Sequence, residues 1–388
     1  MTSTAPDERR TTAWAATMTG VDDDGVRLAH ADSHAAAGPV EVLDRRAREG
    51  VEAETLAPGA TRARGAGDRA REEAPDPVRT CFERDRDRIL HGATAFRRLA
   101  GKTQVFIFPD DHQRTRLTHA LEVAQVATSV ARACRLNVAL TEAIALGHDC
   151  GHGPGGHASE DAFSPYLLEG YDHAVWGADV VLAPLNLCHQ TLDGIRNHSW
   201  SRPAPSTAEG EVVSWADRIA YVCHDFEDAV LAGIVTPSML PEMVAERCGR
   251  TRSQQLNAFI EAMVTATANT GRIGMTSPMA DALAEFRRFN YRNIYMRPAS
   301  QAQSELVIRV LRALVEFYAD RPNTLPLDNL PAPVGPRRRD DLAAGSPEAV
   351  REAVTYVAGM TDRFACQMAV THLGWDPAAL PTGVDVSR

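Results

Sequence analysis

Lysine is almost missing from this chain of 388 residues: Lys102 stands alone, and every other permanently basic side chain is an arginine. Acidic residues outnumber basic ones by 51 to 41, a net charge of −10 with histidine neutral. That balance excludes a general nucleic-acid coat, because phosphate binding then requires a local basic patch. No run of about 18 apolar residues occurs, so no membrane span is expected. The polar, acidic first thirty residues hold no signal-peptide core. The seven cysteines form no CxxC pair, which argues against a thiolate zinc site. An odd number of scattered thiols fits a reducing compartment, and the expected location is cytoplasmic. What is present, 44% hydrophobic and 24% charged residues, is the composition of a soluble globular protein.

Residues 1–79 differ from the rest. They are rich in Ala, Gly, Asp, Glu and Arg, and Trp14 is their one aromatic side chain. So little apolar surface cannot offset the entropy of ordering, and a disordered polar extension is expected. Beyond Val78 the pattern turns helical. Thr118 offers an N-cap for a helix with Leu121, Ala124, Ala131 and Cys134 at helical spacing, and Thr141 offers one for a helix leading to His148-Asp149. Helical spacing recurs from His157 and over 212–231, 239–270, 278–288, 300–318 and 347–371. The best strand candidate is 104–108, and loops are expected at 202–209 and 329–346. The fold class is mainly α, a multi-helix bundle: a core over 80–235, a helical C-terminal part of the same catalytic unit over 236–374, and a tail over 375–388.

Histidines and acids concentrate in one stretch. His119 lies on the first helix, His148 and Asp149 are adjacent where the next one ends, and Asp217 lies on a third. The glycines after Asp149 allow the chain to turn so that neighbouring His and Asp reach one ion. Two imidazoles and two carboxylates from three helices suit Mn²⁺, Fe²⁺, Co²⁺ or Zn²⁺ better than Mg²⁺, which prefers oxygen. His157 and Glu160 are three apart and share a helix face, so Glu160 can orient His157 and keep it charged. Arg116 precedes His119 by one helical turn. Asp217, Tyr221 and Asp225 form a stripe at intervals of four, with Arg218 beside it. Arg116, Arg218 and Lys102 are the candidate neutralisers of a phosphate chain. His152 and His173 lie nearby in sequence.

Taken in order, several motifs resemble the HD-domain deoxynucleoside triphosphate triphosphohydrolases, the dGTPase-like family. They are Arg84-Asp85-Arg86-Asp87-Arg88-Ile89-Leu90-His91, Ala95-Phe96-Arg97-Arg98-Leu99, Lys102-Thr103-Gln104-Val105 and Arg114-Thr115-Arg116-Leu117-Thr118-His119. Gly147-His148-Asp149-Cys150-Gly151-His152, Gly156-His157-Ala158-Ser159-Glu160, Ala216-Asp217-Arg218-Ile219-Ala220-Tyr221 and the late Tyr356-Val357-Ala358-Gly359-Met360-Thr361-Asp362-Arg363 continue the series. The match runs from about Val78 to Leu373. The resemblance implies an HD-domain helical bundle with a helical C-terminal extension, and a divalent metal, Mg²⁺ or Mn²⁺ first and Fe²⁺, Co²⁺ or Zn²⁺ as further fits. It implies His119, His148, Asp149 and Asp217 as ligands, and hydrolysis of dGTP or another dNTP to deoxynucleoside and inorganic triphosphate. His157 would assist catalysis, backed by Glu160, with His173 counted among the catalytic residues. Arg116, Arg218 and Tyr221 would contact phosphates, Tyr221 and Asp225 would stand near the 3′-hydroxyl, and Gln104 near the sugar or base. Homo-oligomers are common in the family, and some members bind single-stranded DNA.

One segment departs from the family pattern: Tyr171-Asp172-His173-Ala174 stands where Phe-Glu-His-Asn is usual. His173 is kept and an amide is lost at Ala174, which motivates the second of two alternatives to a dNTP triphosphohydrolase. One is an HD-type phosphohydrolase acting on nucleoside monophosphates or cyclic nucleotides. The other is a weakly catalytic dNTP sensor.

Overall fold

The computed structural model describes residues 7–17, 20–105, 113–326 and 342–381. Two units emerge, 1–43 and 44–388. In the first, the described residues form α1 (Glu8–Thr17) and a hairpin of β1 (Val21–Asp23) antiparallel to β2 (Val26–Leu28). Its two-residue turn, Asp24-Gly25, has φ of 51° and 83°, the left-handed geometry that Asp-Gly supplies at low cost.

In the second unit, α2 (Arg45–Thr55) starts at Asp44, whose carboxylate accepts from the Ala47 N–H. Thr80 and Glu83 form a capping box on α3 (Cys81–Asp87), and α4 (Thr94–Arg98) follows. The N-cap of α5 (Arg116–Ala133) is Thr115 with Thr118 as its reciprocal partner, not Thr118 itself. Likewise Asn137, not Thr141, caps α6 (Val138–Gly147). Two short helices, α7 (His157–Phe163) and α8 (His173–Trp176), precede α9 (His189–Arg196) and the long α10 (Ala208–Leu231). The run expected over 239–270 divides into α11 (Glu242–Cys248) and α12 (Arg252–Thr270), because Gly249 turns with φ of 86°. The remaining helices are α13 (Ser277–Asn290), α14 (Pro298–Asp320), α15 (Pro347–Ala358) and α16 (Asp362–Leu373). The strand expected at 104–108 falls mostly outside the described residues, as does most of the 329–346 loop. Of its surroundings, Thr103 makes an isolated bridge to Thr115.

Two apolar cores organise this unit. The larger takes side chains from α3, α5, α6, α9 and α10 through α13, among them Phe82, Leu140, Ile144, Ile219 and Phe286. The smaller takes them from α7, α8 and α14 through α16, among them Phe163, Trp176, Leu314 and Val354. Each such Val, Leu or Phe contributes about 1.5–3 kcal/mol by leaving water. No helix among the described residues is long and apolar enough to cross a membrane, and all seven cysteines are free.

The disordered extension expected over 1–79 is corrected: residues 44–79 pack on the body. Arg69 forms a buried 2.7 Å ion pair with Asp85. Glu209 accepts from the Thr61 N–H and hydroxyl at 3.0 and 2.7 Å. Glu52 receives the Ala63 N–H at 2.7 Å and the Asn137 amide at 3.2 Å. Composition misled because this segment orders through polar links to the body rather than through a core of its own. Ala60 and Ala63 are nevertheless buried.

Candidate functional site

The larger core presents one cluster. His119 comes from the second turn of α5, His148 and Asp149 from the end of α6, and Asp217 from the middle of α10. His119 Nε2 lies 3.1 Å from Asp217 Oδ1 and 3.8 Å from Asp149 Oδ2. His148 Nε2 lies 3.4 Å from Asp149 Oδ1 and 3.8 Å from Asp217 Oδ1. Ligand atoms of His119, His148 and Asp217 all fall within 4.8 Å of one another. His148 Nδ1 contacts the Ala145 carbonyl at 2.7 Å, so Nδ1 carries the hydrogen and Nε2 a lone pair. That Nε2 is buried and has no hydrogen-bond partner. Burial holds His148 below the ordinary histidine range. Burial would raise both acids, yet the groups around them prevail: Arg116 first holds Asp149 well below the carboxylate range, and His119 first does so for Asp217. A lone pair facing two carboxylates is repulsive unless a cation lies between, and an N₂O₂ donor set suits a divalent ion. The residues fit a metal.

The smaller core presents a second cluster, built around Glu160 of α7. Its Oε2 lies 2.9 Å from His157 Nδ1, and its Oε1 lies 2.7 Å from His173 Nδ1 and accepts from the His173 N–H at 3.0 Å. An anionic carboxylate only accepts, so both imidazoles carry hydrogen on Nδ1. His157 is exposed, with Nε2 unengaged by these contacts. Burial would lower His173, but the Glu160 carboxylate outweighs it and raises the group. Glu160 is held far below its usual range against burial, by His157 and then His173. Ala174 sits buried in α8, its N–H accepted by Asp172.

Arg116 lies at the seam of the two clusters. Its Nη1 donates to Asp149 Oδ2 at 2.8 Å, while Nε and Nη2 are buried without partners. The guanidinium rests on Gly156, where a Cβ would stand 2.4 Å from Nη2, so only glycine permits this approach. Tyr221 and Arg218 are close, with Arg218 Nη1 donating to the Tyr221 hydroxyl at 3.2 Å and Arg287 Nε doing so at 2.8 Å. Arg218 also stacks 3.9 Å over the Trp200 ring. Gln104 is half-buried with an unpartnered Oε1.

Two expectations change. Lys102 is no open phosphate neutraliser: it is fully buried and donates to the carbonyls of His152 and Ala358. Asp225 does not continue the open stripe: it is 2% exposed, accepts from Tyr295 at 2.5 Å and lies 2.8 Å from His224 Nδ1. Three histidines went unassigned in the sequence. His224 Nε2 meets His119 Nδ1 at 3.0 Å; its position seven residues after Asp217, two helical turns on, was a usable signal. His152 stacks on His173 at 3.7 Å and lies 3.3 Å from Asp149. His198, in a loop after α9, lies 3.2 Å from His173 Nε2, and no spacing announces it.

A protein of Caldanaerobacter subterraneus subsp. tengcongensis named deoxyguanosinetriphosphate triphosphohydrolase-like protein is 38% identical over 328 residues, covering 83% of this chain and 93% of that protein. This chain belongs to the dGTP triphosphohydrolase-like family. A protein of the same name from Deinococcus deserti is 34% identical, covering 88% of this chain and 99% of its own length. The HD domain model matches residues 116–222, which contain His119, His148, Asp149 and Asp217. A phosphohydrolase-associated domain matches 273–370, the stretch that supplies most of the smaller core. The chain thus carries an HD domain of the phosphohydrolase type, and its motif residues converge from two cores.

Proposed function

We propose that the protein hydrolyses a deoxynucleoside triphosphate, dGTP or another dNTP, to deoxynucleoside and inorganic triphosphate. The observation that carries this reading is Arg116, a buried guanidinium with two unpartnered nitrogens between the acid–histidine cluster and the His157–Glu160 pair. Asp149 engages only Nη1, so the two remaining buried donors cost stability until an acceptor reaches them, and phosphate oxygens match their geometry. The names of the relatives favour the same substrate class.

His119, His148, Asp149 and Asp217 would hold the divalent ion, Mg²⁺ or Mn²⁺ first and Fe²⁺, Co²⁺ or Zn²⁺ by donor chemistry, which would neutralise phosphate charge and acidify water. Arg116 receives phosphate oxygens, and Arg218 with Tyr221 extends the positive wall. Phosphoryl transfer then depends on positioning and charge stabilisation. Glu160 accepts from His157 Nδ1–H, and His157 in its imidazolium form would donate its Nε2–H to the departing 5′-oxygen. Water attacks the α-phosphorus, the bond from that phosphorus to O5′ breaks, and triphosphate leaves whole.

Incubating the metal-loaded protein with each dNTP and separating products by anion exchange tests the reading. Triphosphate released in one step is the expected result. Stepwise orthophosphate, or turnover confined to monophosphates or cyclic nucleotides, overturns it.

A further inference from the structure

The late motif Tyr356–Arg363 lies far from every residue assigned so far in sequence, outside the HD match, yet it reaches the site. Asp362, at the first position of α16, spends its whole carboxylate on two site loops. Its Oδ2 accepts from the Thr103 N–H at 2.8 Å and the Thr103 hydroxyl at 2.6 Å. Its Oδ1 accepts from the Gly155 N–H at 2.8 Å. Flanking links reinforce the contact: Arg98 donates to the Gly359 carbonyl at 2.9 Å, and Lys102 bridges the Ala358 and His152 carbonyls. Close approach is built in, since a Cβ on Gly101 would stand 2.7 Å from Thr361.

Both loops lead to Arg116. On one side, the Arg116 N–H donates to the Lys102 carbonyl at 3.0 Å, and Thr103 bridges Thr115, the cap of α5. On the other, Gly155 and Gly156 run at φ of 72° and 60°, Gly156 packs against the guanidinium, and His157 follows directly. One carboxylate from a helix of the smaller core therefore fixes both walls around the Arg116 guanidinium, two of whose nitrogens have no partner, and the start of the helix bearing the His157–Glu160 pair. Three donors on one carboxylate are charge-assisted bonds with a defined geometry, stiffer than neutral loop contacts.

We propose that Asp362 is a positioning residue that sets Arg116 and His157 for the triphosphate, making the C-terminal helices part of the site. The proposal rests on the functional reading above. It is tested on the full-length, metal-loaded chain with Asp362→Ala and Asp362→Asn, beside Val354→Ala, a buried apolar change in the same core that removes none of these hydrogen bonds. Asp362→Ala should speed amide hydrogen exchange at 153–157 and 103–105 at least tenfold and leave α6 unchanged. It should weaken inorganic triphosphate binding at least tenfold and raise KM for dGTP more than it lowers kcat, with metal content unchanged. Asp362→Asn, which keeps one acceptor oxygen, should fall between. Val354→Ala should lower Tm while keeping triphosphate affinity. Wild-type exchange in both loops of Asp362→Ala overturns the proposal, and so does an equal loss of triphosphate affinity in Val354→Ala. Hydrogen exchange requires no substrate, so it fails only with this inference, whereas absence of dNTP turnover in the wild type fails only with the functional reading.

Discussion

His148 and His173 lie in one site yet are pushed in opposite directions. His148, on the larger core, is buried with its Nδ1 on a carbonyl, and burial lowers it. His173, on the smaller core, is as deeply buried, but the Glu160 carboxylate 2.7 Å away raises it. Asp149 and Asp217 also stand 3.4 and 3.8 Å from His148 Nε2, so the contrast teaches that a carboxylate offsets burial when it accepts directly from the imidazole N–H, as Glu160 does, and not when it merely stands nearby. One core presents a donor set that could hold a cation, and the other presents the His157–Glu160 pair proposed for acid–base work.

The strongest way to break this division is to remove the donor set. His148→Ala with Asp149→Ala should abolish both metal uptake and dNTP hydrolysis, read by metal analysis and turnover on the same sample. Full metal occupancy with retained turnover would mean that the cluster is not the metal site.

Next comes the acid–base side. His157→Ala should keep metal content and cut kcat by about a hundred- to ten-thousand-fold, about 3–5 kcal/mol of barrier. Glu160→Gln should cost less, and the double variant about as much as His157→Ala alone, because the pair acts as a unit. Single-turnover rates decide; an unchanged rate in His157→Ala would reduce the second cluster to a structural role.

Lys102 joins the two cores and gives a smaller, pH-dependent effect. Burial lowers its pKa to about 8 from 10.5. Between those values the unfolded chain binds more protons than the folded one, so stability rises with pH. Relative to Lys102→Met, the wild type should gain about 2 kcal/mol between pH 7.5 and 9.5, read from urea unfolding. A difference flat with pH would show that Lys102 is not held in a charge-disfavouring position.

The smallest effect is expected from removing residues 2–43. Every candidate site residue lies beyond that unit, so turnover per site and metal content should both stay within about twofold. A larger loss would assign the first unit a part in the site.

The helical class and the approximate helix spans were legible in the sequence because apolar spacing reports a periodicity that each segment carries by itself. The ordered motifs also named the residues that converge: His119, His148, Asp149 and Asp217 in one cluster, His157, Glu160 and His173 in the other. What those spacings left open was decided by contacts between distant segments. Residues 44–79 order through Arg69–Asp85 and Glu52–Asn137, pairings that no local composition announces. Lys102 and Asp225 look like open polar side chains in sequence, and only packing shows them buried against carbonyls and Tyr295. His198 enters the site from a loop with no periodicity to mark it. A one-dimensional pattern fixes which face of a helix is apolar. Which charges meet, and which imidazole ends up neutral or charged, depends on burial and on neighbours brought in from other elements, and tertiary structure alone supplies those.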